Sequence, residues 1–304
     1  MPDFSPASES IDSRRTGSII GLVVALMLVC SSAVSTAHHV VSQYGIAPAE
    51  PVTRTSIQFE FREFDFDSGP SGTAETLTPG LTVAPVERVA VTARLPVAAV
   101  QYDGRSDVFG IGDLSAGSQV LLYASEHGGV IVSAGLGAEF PTGRDSAGLS
   151  SGHWELAPFV VASARPVDEV AFFTIVTDQF SVADTGGEGG GNESAGEGHH
   201  GHGHDHTDGG EKRSLHGSVL APHADHEMRT ELGVAYLFAP LYVATRVSAV
   251  FAWSRAEIFG PLETSAEFGW RPVEPFRLAL TAEVPVVGPD RYDWKARVSA
   301  AWTF

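Results

Sequence analysis

Hydrophobic and polar residues alternate along most of the chain after residue 52. In TRTSIQFEFREF, residues 53–64, Ile57 and Phe59 would project to one side of a strand, and Gln58 and Glu60 to the other. A period of two with one apolar and one polar face is the pattern of a β-strand. The same pattern predicts twelve strands, at residues 53–64, 74–84, 88–97, 111–125, 130–140, 152–165, 169–182, 226–238, 241–254, 262–270, 275–286 and 292–304. Each is long enough to cross a bilayer at a tilt.

The connections between the predicted strands alternate between short and long. Three of the short ones, residues 84–87, 165–168 and 271–274, repeat one motif of Pro-Val followed by an acidic residue. Because proline cannot donate a hydrogen bond to a β-ladder, we expect these motifs to be turns. The other connections are longer and polar, and the longest covers residues 183–225.

Short turns at one end and long loops at the other are typical of an outer-membrane barrel, in which the turns face the periplasm. The predicted fold class is therefore all-β, an antiparallel transmembrane β-barrel of about 12 strands in the lipid bilayer of the bacterial outer membrane. The alternative is a secreted β-sandwich, whose strands also alternate. A sandwich gives no reason for short and long connections to alternate along the chain.

The last predicted strand ends in an aromatic residue. Tyr292 and Trp294 would face outward, and Lys295 and Arg297 would face the lumen. Phe304 after such a strand resembles the assembly signal of outer-membrane barrels, which makes the barrel-assembly machinery an expected partner. The alternative is a soluble edge strand that ends in phenylalanine.

The start of the chain reads as an export signal. Arg14 and Arg15 precede an apolar stretch at residues 17–34, and small residues at 35–37 fit a cleavage site. A transmembrane anchor is the first alternative, and a lipoprotein cysteine at Cys30 is the second. The predicted domains are a signal peptide at 1–37, a periplasmic N-terminal segment at 38–52, and the barrel at 53–304 with a disordered His-rich extracellular loop at about 184–225.

The formal charge of −18 over 304 residues argues against a nucleic-acid partner, which would need a concentrated basic surface. An enzyme is not expected either. Ser150 and Ser151 lie in GLSSG, but this motif lacks the strand-to-helix context of a nucleophile elbow. No Ser/His/Asp set can be assembled from the order of the chain, and no cofactor is required by it.

A histidine-rich tract, GEGHHGHGHDHTDGG, lies within the longest connection at residues 196–210. Glycine-spaced imidazoles can wrap around Zn²⁺, Cu²⁺ or Ni²⁺, whereas a solvated loop of biased composition is the alternative. An α-amino group next to a histidine can also chelate copper, so the first residues after the cleavage site are further candidates. The candidate metal ligands are His199, His200, His202, His204, His206, His38 and His39. His223 and His226, where the loop rejoins a strand, could supplement them.

The stretch from Gly110 to Ser163 resembles the family of outer-membrane proteins named for the meta-pathway of phenol degradation. The motifs that carry the resemblance are Gly-Asp-Leu at 112–114, Phe-Pro-Thr-Gly at 140–143 and Gly-His-Trp-Glu-Leu-Ala-Pro at 152–158. The resemblance implies a barrel and the passage of small molecules. The insertion at 186–217 is not part of this pattern.

These observations predict an outer-membrane channel or transporter-like barrel for a small solute or a metal ion. The alternative is a non-conducting structural or binding barrel, because strand number sets the diameter but side-chain packing decides whether the lumen is open. The predicted pore-lining residues are Arg88, Arg94, Glu139, Glu155, Arg229, Glu263, Glu267, Arg277 and Arg297.

Overall fold

A computed structural model describes nine segments of the chain. They are residues 49–65, 70–104, 106–125, 129–184, 216–218, 220–223, 226–252, 261–287 and 292–304. Almost all of these residues form β-strands, and a single 3₁₀ turn covers Asp145–Ala147. Within these segments, no helix is long and apolar enough to cross a membrane.

Sixteen strand segments are present in the described residues. They are β1 Arg54–Asp65, β2 Ser71–Val86, β3 Val89–Arg94, β4 Val97–Tyr102, β5 Val108–Ile111, β6 Leu114–Ala124, β7 Val130–Phe140, β8 His153–Val167, β9 Val170–Asp184, β10 His216–Ser218, β11 Ala221–His223, β12 His226–Phe238, β13 Leu241–Ala252, β14 Leu262–Val273, β15 Phe276–Val287 and β16 Trp294–Thr303. Segments β3 and β4 both pair with β2, so they are two parts of one barrel strand interrupted at Leu95 and Pro96. Segments β5 and β6 form a second interrupted strand, broken at Gly112 and Asp113.

Counted in this way, twelve antiparallel strands close into one barrel. Each strand pairs with its neighbours in the chain, and β12 follows β9 directly in the sheet. Closure is made by β1, which pairs with β2 on one side and with β16 on the other. The predicted twelve-stranded barrel is therefore confirmed, and the β-sandwich is excluded because no open sheet edge remains in the barrel.

The turns were predicted at the repeated proline motifs, but in the structure they follow the Pro-Val pair of each motif. The two-residue turns are Glu87-Arg88, Asp168-Glu169 and Glu274-Pro275, whereas the Pro-Val pairs still belong to β2, β8 and β14. The strand register shifts at each motif, as between Val83 and Val86. A β-bulge leaves a residue without a ladder partner, and proline suits that position because it has no N–H to donate.

The outer wall of the barrel is apolar along the length of the strands. Leu232 is 60% exposed, Leu280 53% and Val298 49%, although all three lie in the middle of strands. Exposed aromatic residues lie near both ends of this wall: Trp154 at one end, and Phe238, Phe268, Trp270 and Trp302 at the other. A closed barrel with such a wall belongs in a lipid bilayer, and its aromatic residues suit the two membrane interfaces. The protein is located in the outer membrane.

Strands lie at both ends of the loop predicted at about 184–225. Strand β9 continues to Asp184, and β10 pairs with β11 in a short hairpin at residues 216–223. The histidine-rich tract between them lies outside the described residues.

Candidate functional site in the barrel lumen

Alternate residues of the barrel strands face the lumen, and their charges balance. Arg165 and Arg271 have the same parity but bind the backbone carbonyls of the short turns. Apart from these two, eight are basic and eight are acidic: Arg54, Arg62, Arg94, Arg229, Arg246, Arg277, Lys295 and Arg297 against Glu60, Glu139, Glu155, Glu227, Glu231, Glu263, Glu267 and Glu283. Since these charges cancel, the formal charge of −18 belongs to the rest of the chain.

Strands β1, β15 and β16 share an ion-pair cluster on the inner wall. Glu60 accepts a hydrogen bond from Arg62 at 2.6 Å and another from Arg297 at 2.8 Å. Glu283 pairs with Lys295 on the neighbouring strand. All of these carboxylates are buried, so the attraction to their partners is screened less than at a protein surface.

A second cluster connects β12, β13 and β14. The Arg229 guanidinium pairs with Glu263, contacts Glu231 at 3.3 Å, and donates a hydrogen bond to the Ser248 hydroxyl at 2.9 Å. Arg246 contacts the other oxygen of Glu231 at 3.2 Å. Each of these contacts joins one strand to another or one inward position to the next, so this part of the wall is densely cross-linked.

Glu267 forms a third cluster nearer the short turns. It accepts hydrogen bonds from the Tyr242 hydroxyl at 2.5 Å, from Arg277 at 3.2 Å and from Thr281 at 3.2 Å. Together the three clusters occupy the inner wall from β12 through β16 to β1. Long, paired side chains therefore fill that side of the lumen.

The opposite side of the lumen, its open side, contains a cavity because small residues form part of its wall. A cavity of about 290 Å³ runs along β3, β6, β7, β8 and β9. Ser115, Gly117, Gly137 and Ala157 form part of its wall. The small side chains on these neighbouring strands leave a space empty. On the other side of the lumen, the ion-pair clusters fill the corresponding space.

Two arginines border this cavity without an acidic partner. Arg54 and Arg94 both line it, and neither forms an ion pair with any other residue that the structure describes. The Arg94 side chain is exposed to the open lumen. These guanidinium groups differ from the six other inward-facing bases, which all contact carboxylates.

The acidic border of the cavity lies on β7 and β8. Glu139 and Glu155 are opposite each other in the register of these strands. Glu155 accepts a hydrogen bond from Gln179 and lies 3.2 Å from the imidazole of His153. The cavity therefore has a basic side and an acidic side, and the acidic side is already engaged by neighbouring groups.

The connection between β7 and β8 folds into the lumen at the end opposite the short turns. Leu149 is buried with Phe64, Ala98, Val100 and other inward residues of the barrel strands. The Tyr102 hydroxyl donates a hydrogen bond to the backbone carbonyl of Ala147 at 3.1 Å. This inward loop, residues 141–152, narrows that end of the lumen.

Asp113 fixes the base of the inward loop. Its carboxylate accepts backbone hydrogen bonds from Gly143 at 3.0 Å and Ser151 at 2.7 Å, one at each oxygen. Thr142 adds a hydrogen bond from its hydroxyl to the carbonyl of Gly112 at 3.1 Å. The Gly-Asp-Leu and Phe-Pro-Thr-Gly motifs, which are separated in the sequence, thus meet in one hydrogen-bonded structure.

The end with the short turns is narrowed by the segment that precedes β1. Ala49 is 1% exposed and packs in an apolar cluster with inward residues of β7, β8, β9, β12 and β13. The Ser133 hydroxyl donates a hydrogen bond to the Ala49 carbonyl. The sequence predicted a periplasmic segment at 38–52 and gave no indication that its last residues enter the lumen.

Eight of the nine predicted pore-lining residues face the lumen, and the ninth was wrong. Arg88 lies in the exposed two-residue turn between β2 and β3 because the strand begins at the next residue. Tyr292 was predicted to face outward, but it is 3% exposed and its hydroxyl donates a hydrogen bond to Glu283 at 2.5 Å. It precedes the start of β16, so the alternation of that strand does not govern it.

Seven histidines were predicted as metal ligands. His38, His39, His199, His200, His202, His204 and His206 lie outside the described residues. His226 lies in β12, and its imidazole is 2.8 Å from the carboxylate of Asp178. Phe304 follows the last residue of β16, and its role in assembly stays a prediction.

The sequence analysis missed two functionally placed residues, Arg54 and Asp113. The alternation of β1 already put Arg54 on the same face as Glu60, which was a usable signal. Asp113 was noticed only within a motif. Its role depends on residues 30 and 38 positions away, and local periodicity carries no information about such contacts.

No protein-family model and no curated protein matches the sequence. Among solved structures, an outer-membrane channel from Pseudomonas putida F1 is similar, with a TM-score of 0.59 and 11% identity over 84% of this chain and 96% of that chain. The KdgM porin in complex with disordered oligogalacturonate has a TM-score of 0.48 at 9% identity, covering 83% of this chain and 99% of that one. The NanC porin has a TM-score of 0.49 at 9% identity, covering 82% and 100%. The likeness to the Pseudomonas channel shows a shared barrel fold.

Proposed function

We propose that the protein is an outer-membrane channel that passes small solutes through the open side of its lumen. The observation that carries this proposal is the cavity of about 290 Å³ along β3 and β6–β9, bordered by charged residues. The ion-pair clusters on the opposite side would keep the barrel rigid and leave the passage on one side.

The rival function is a non-conducting barrel. It is favoured by the two segments that narrow the lumen, the inward loop around Leu149 and the segment at Ala49. Conduction through the open side would require only that these segments leave a path past the small residues of β6, β7 and β8.

Single-channel recording of the refolded protein in planar lipid bilayers tests the proposal. Discrete conductance steps in KCl are expected, and Ala157→Phe should lower the conductance severalfold because Ala157 lines the cavity. Ala162→Phe is the matched control. It lies on the same strand but at the opposite parity, and so faces the lipid. Absence of current from correctly folded protein would favour the non-conducting barrel.

The resemblance of residues 110–163 to the meta-pathway family also supports this proposal. Two motifs of the resemblance, Gly112-Asp113-Leu114 and Phe140-Pro141-Thr142-Gly143, are hydrogen-bonded to each other at the base of the inward loop. Membership of that family is part of the proposal.

We extend the proposal to the histidine-rich tract, which would act as a surface trap for a divalent transition metal. Its support is the spacing of His199, His200, His202, His204 and His206.

A further inference from the structure

We infer that the open cavity binds a small organic anion, a carboxylate that carries a compact apolar group. The carboxylate would lie between Arg54 and Arg94, and the apolar group against Phe159, Val161 and Ile175. This inference rests on the proposed function in one respect, because it names the class of solute that would use the open side of the lumen.

The basic side of the cavity has charged donors and, among the described residues, no carboxylate paired with them. Arg54 and Arg94 line the same cavity and lack an acidic partner among the described residues. Arg94 lies opposite Ser115 in the strand register, and Thr92 adds a second hydroxyl to the same wall. Two guanidinium groups with nearby hydroxyls offer a carboxylate charge-assisted hydrogen bonds, which are among the stronger ones in proteins.

The acidic side would orient the bound anion. In the strand register, Arg94 is opposite Ser115, Ser115 is opposite Glu139, and Glu139 is opposite Glu155. Carboxylates on β7 and β8 repel an anion toward β1 and β3. They offer less to a cation than their charge suggests, because Glu155 is already bound by Gln179 and next to His153.

The apolar part of the cavity lies toward the short turns. Phe159, Val161 and Ile175 line it there, and Val161 and Ile175 are opposite each other in the register of β8 and β9. The Phe159 ring occupies the space above Gly135, where a Cβ atom would lie 2.3 Å from it, so the ring has a fixed position. A volume of about 290 Å³ is at the small end of ligand cavities, which favours an apolar group of a few carbons over a long acyl chain.

Equilibrium binding to the protein in nanodiscs of neutral phosphatidylcholine tests this inference. Hexanoate, acetate and hexylammonium serve as probes, measured by titration calorimetry against empty nanodiscs. We expect hexanoate to bind, and acetate and hexylammonium to bind at least about tenfold more weakly, because one lacks the apolar group and the other reverses the charge.

The variant R54Q/R94Q should weaken hexanoate binding about tenfold or more, since it removes both charged donors. Arg88→Gln is the control, because Arg88 is an exposed arginine in the turn outside the lumen. Hexylammonium that binds as well as hexanoate, or hexanoate binding that R54Q/R94Q leaves unchanged, would overturn the inference. If R54Q/R94Q does not fold, the ranking of the three probes on the unmodified protein decides.

The two proposals can fail separately. Calorimetry needs no current, so a barrel that binds hexanoate without conducting would refute only the channel. A barrel that conducts KCl but binds no hexanoate would refute only the anion site.

Discussion

At the scale of single residues, three glycines on the inner wall make room for aromatic rings on the neighbouring strand. Gly269 lies opposite Tyr242 in the strand register, Gly233 opposite Phe173, and Gly135 opposite Phe159. A Cβ atom at Gly269 would lie 1.9 Å from the Tyr242 ring, closer than any real contact. The missing side chain lets Tyr242 lie flat on the wall and reach Glu267. Sequence alternation shows which residues face inward, but such a pairing also depends on the register.

Gly269→Ala should therefore destabilise the barrel by about 2 kcal/mol, a usual cost of overpacking. The measurement is the temperature at which the barrel unfolds. On gels of unboiled samples, the folded barrel gives a band of its own, and unfolding is followed as the loss of that band. Gly137→Ala is the matched control, because a Cβ atom there meets only ordinary contacts at 3.5 Å from Ala157. Equal effects of the two substitutions would contradict the role assigned to the Tyr242 ring.

At the scale of elements, the alternation predicted all twelve barrel strands, because a residue's side of the wall depends on its own strand. It was wrong where a strand begins or ends. Arg88 and Tyr292 were assigned to strands that start one or two residues later, at Val89 and Trp294. The inward loop at 141–152 could not be predicted at all. Its position depends on contacts with β1, β2 and β4, which periodicity does not encode.

Asp113 binds both ends of the inward loop through the backbone N–H groups of Gly143 and Ser151. Asp113→Ala removes the acceptor for the backbone N–H groups of Gly143 and Ser151, so the loop should leave the lumen more often. Single-channel recording should then show a larger or more frequently open conductance. Asp107→Ala is the control, since Asp107 is an exposed carboxylate just before β5. An unchanged conductance in Asp113→Ala would mean that the loop does not limit passage.

At the scale of the whole molecule, the acidic excess of the chain lies away from the inner wall of the barrel. The wall charges cancel, whereas residues 184–225 carry eight acidic and two basic residues, which is six of the eighteen net negative charges. The net charge of −18 over the whole chain would by itself favour cations as partners of the protein. This average hides two different regions. Among the described residues the lumen is balanced and has two arginines without an acidic partner, whereas the sequence of residues 184–225 is acidic and includes the histidine-rich tract.

That connection is the place to test metal binding. We expect the protein to bind Zn²⁺ or Cu²⁺ at neutral pH and to release it as the pH falls below about 6.5, because protonated imidazole cannot coordinate a metal. Replacing His199, His200, His202, His204 and His206 by serine should remove most of the metal found by equilibrium dialysis. Thermal stability should stay nearly unchanged, because the twelve barrel strands of the described residues pair with one another without this tract.

H38S/H39S is the matched control and should retain the metal. Metal that remains in the five-serine variant and disappears in H38S/H39S would place the site at the predicted mature N-terminus. A large loss of thermal stability in the five-serine variant would contradict a surface trap, because only a tract that packs against the barrel can contribute to its unfolding free energy.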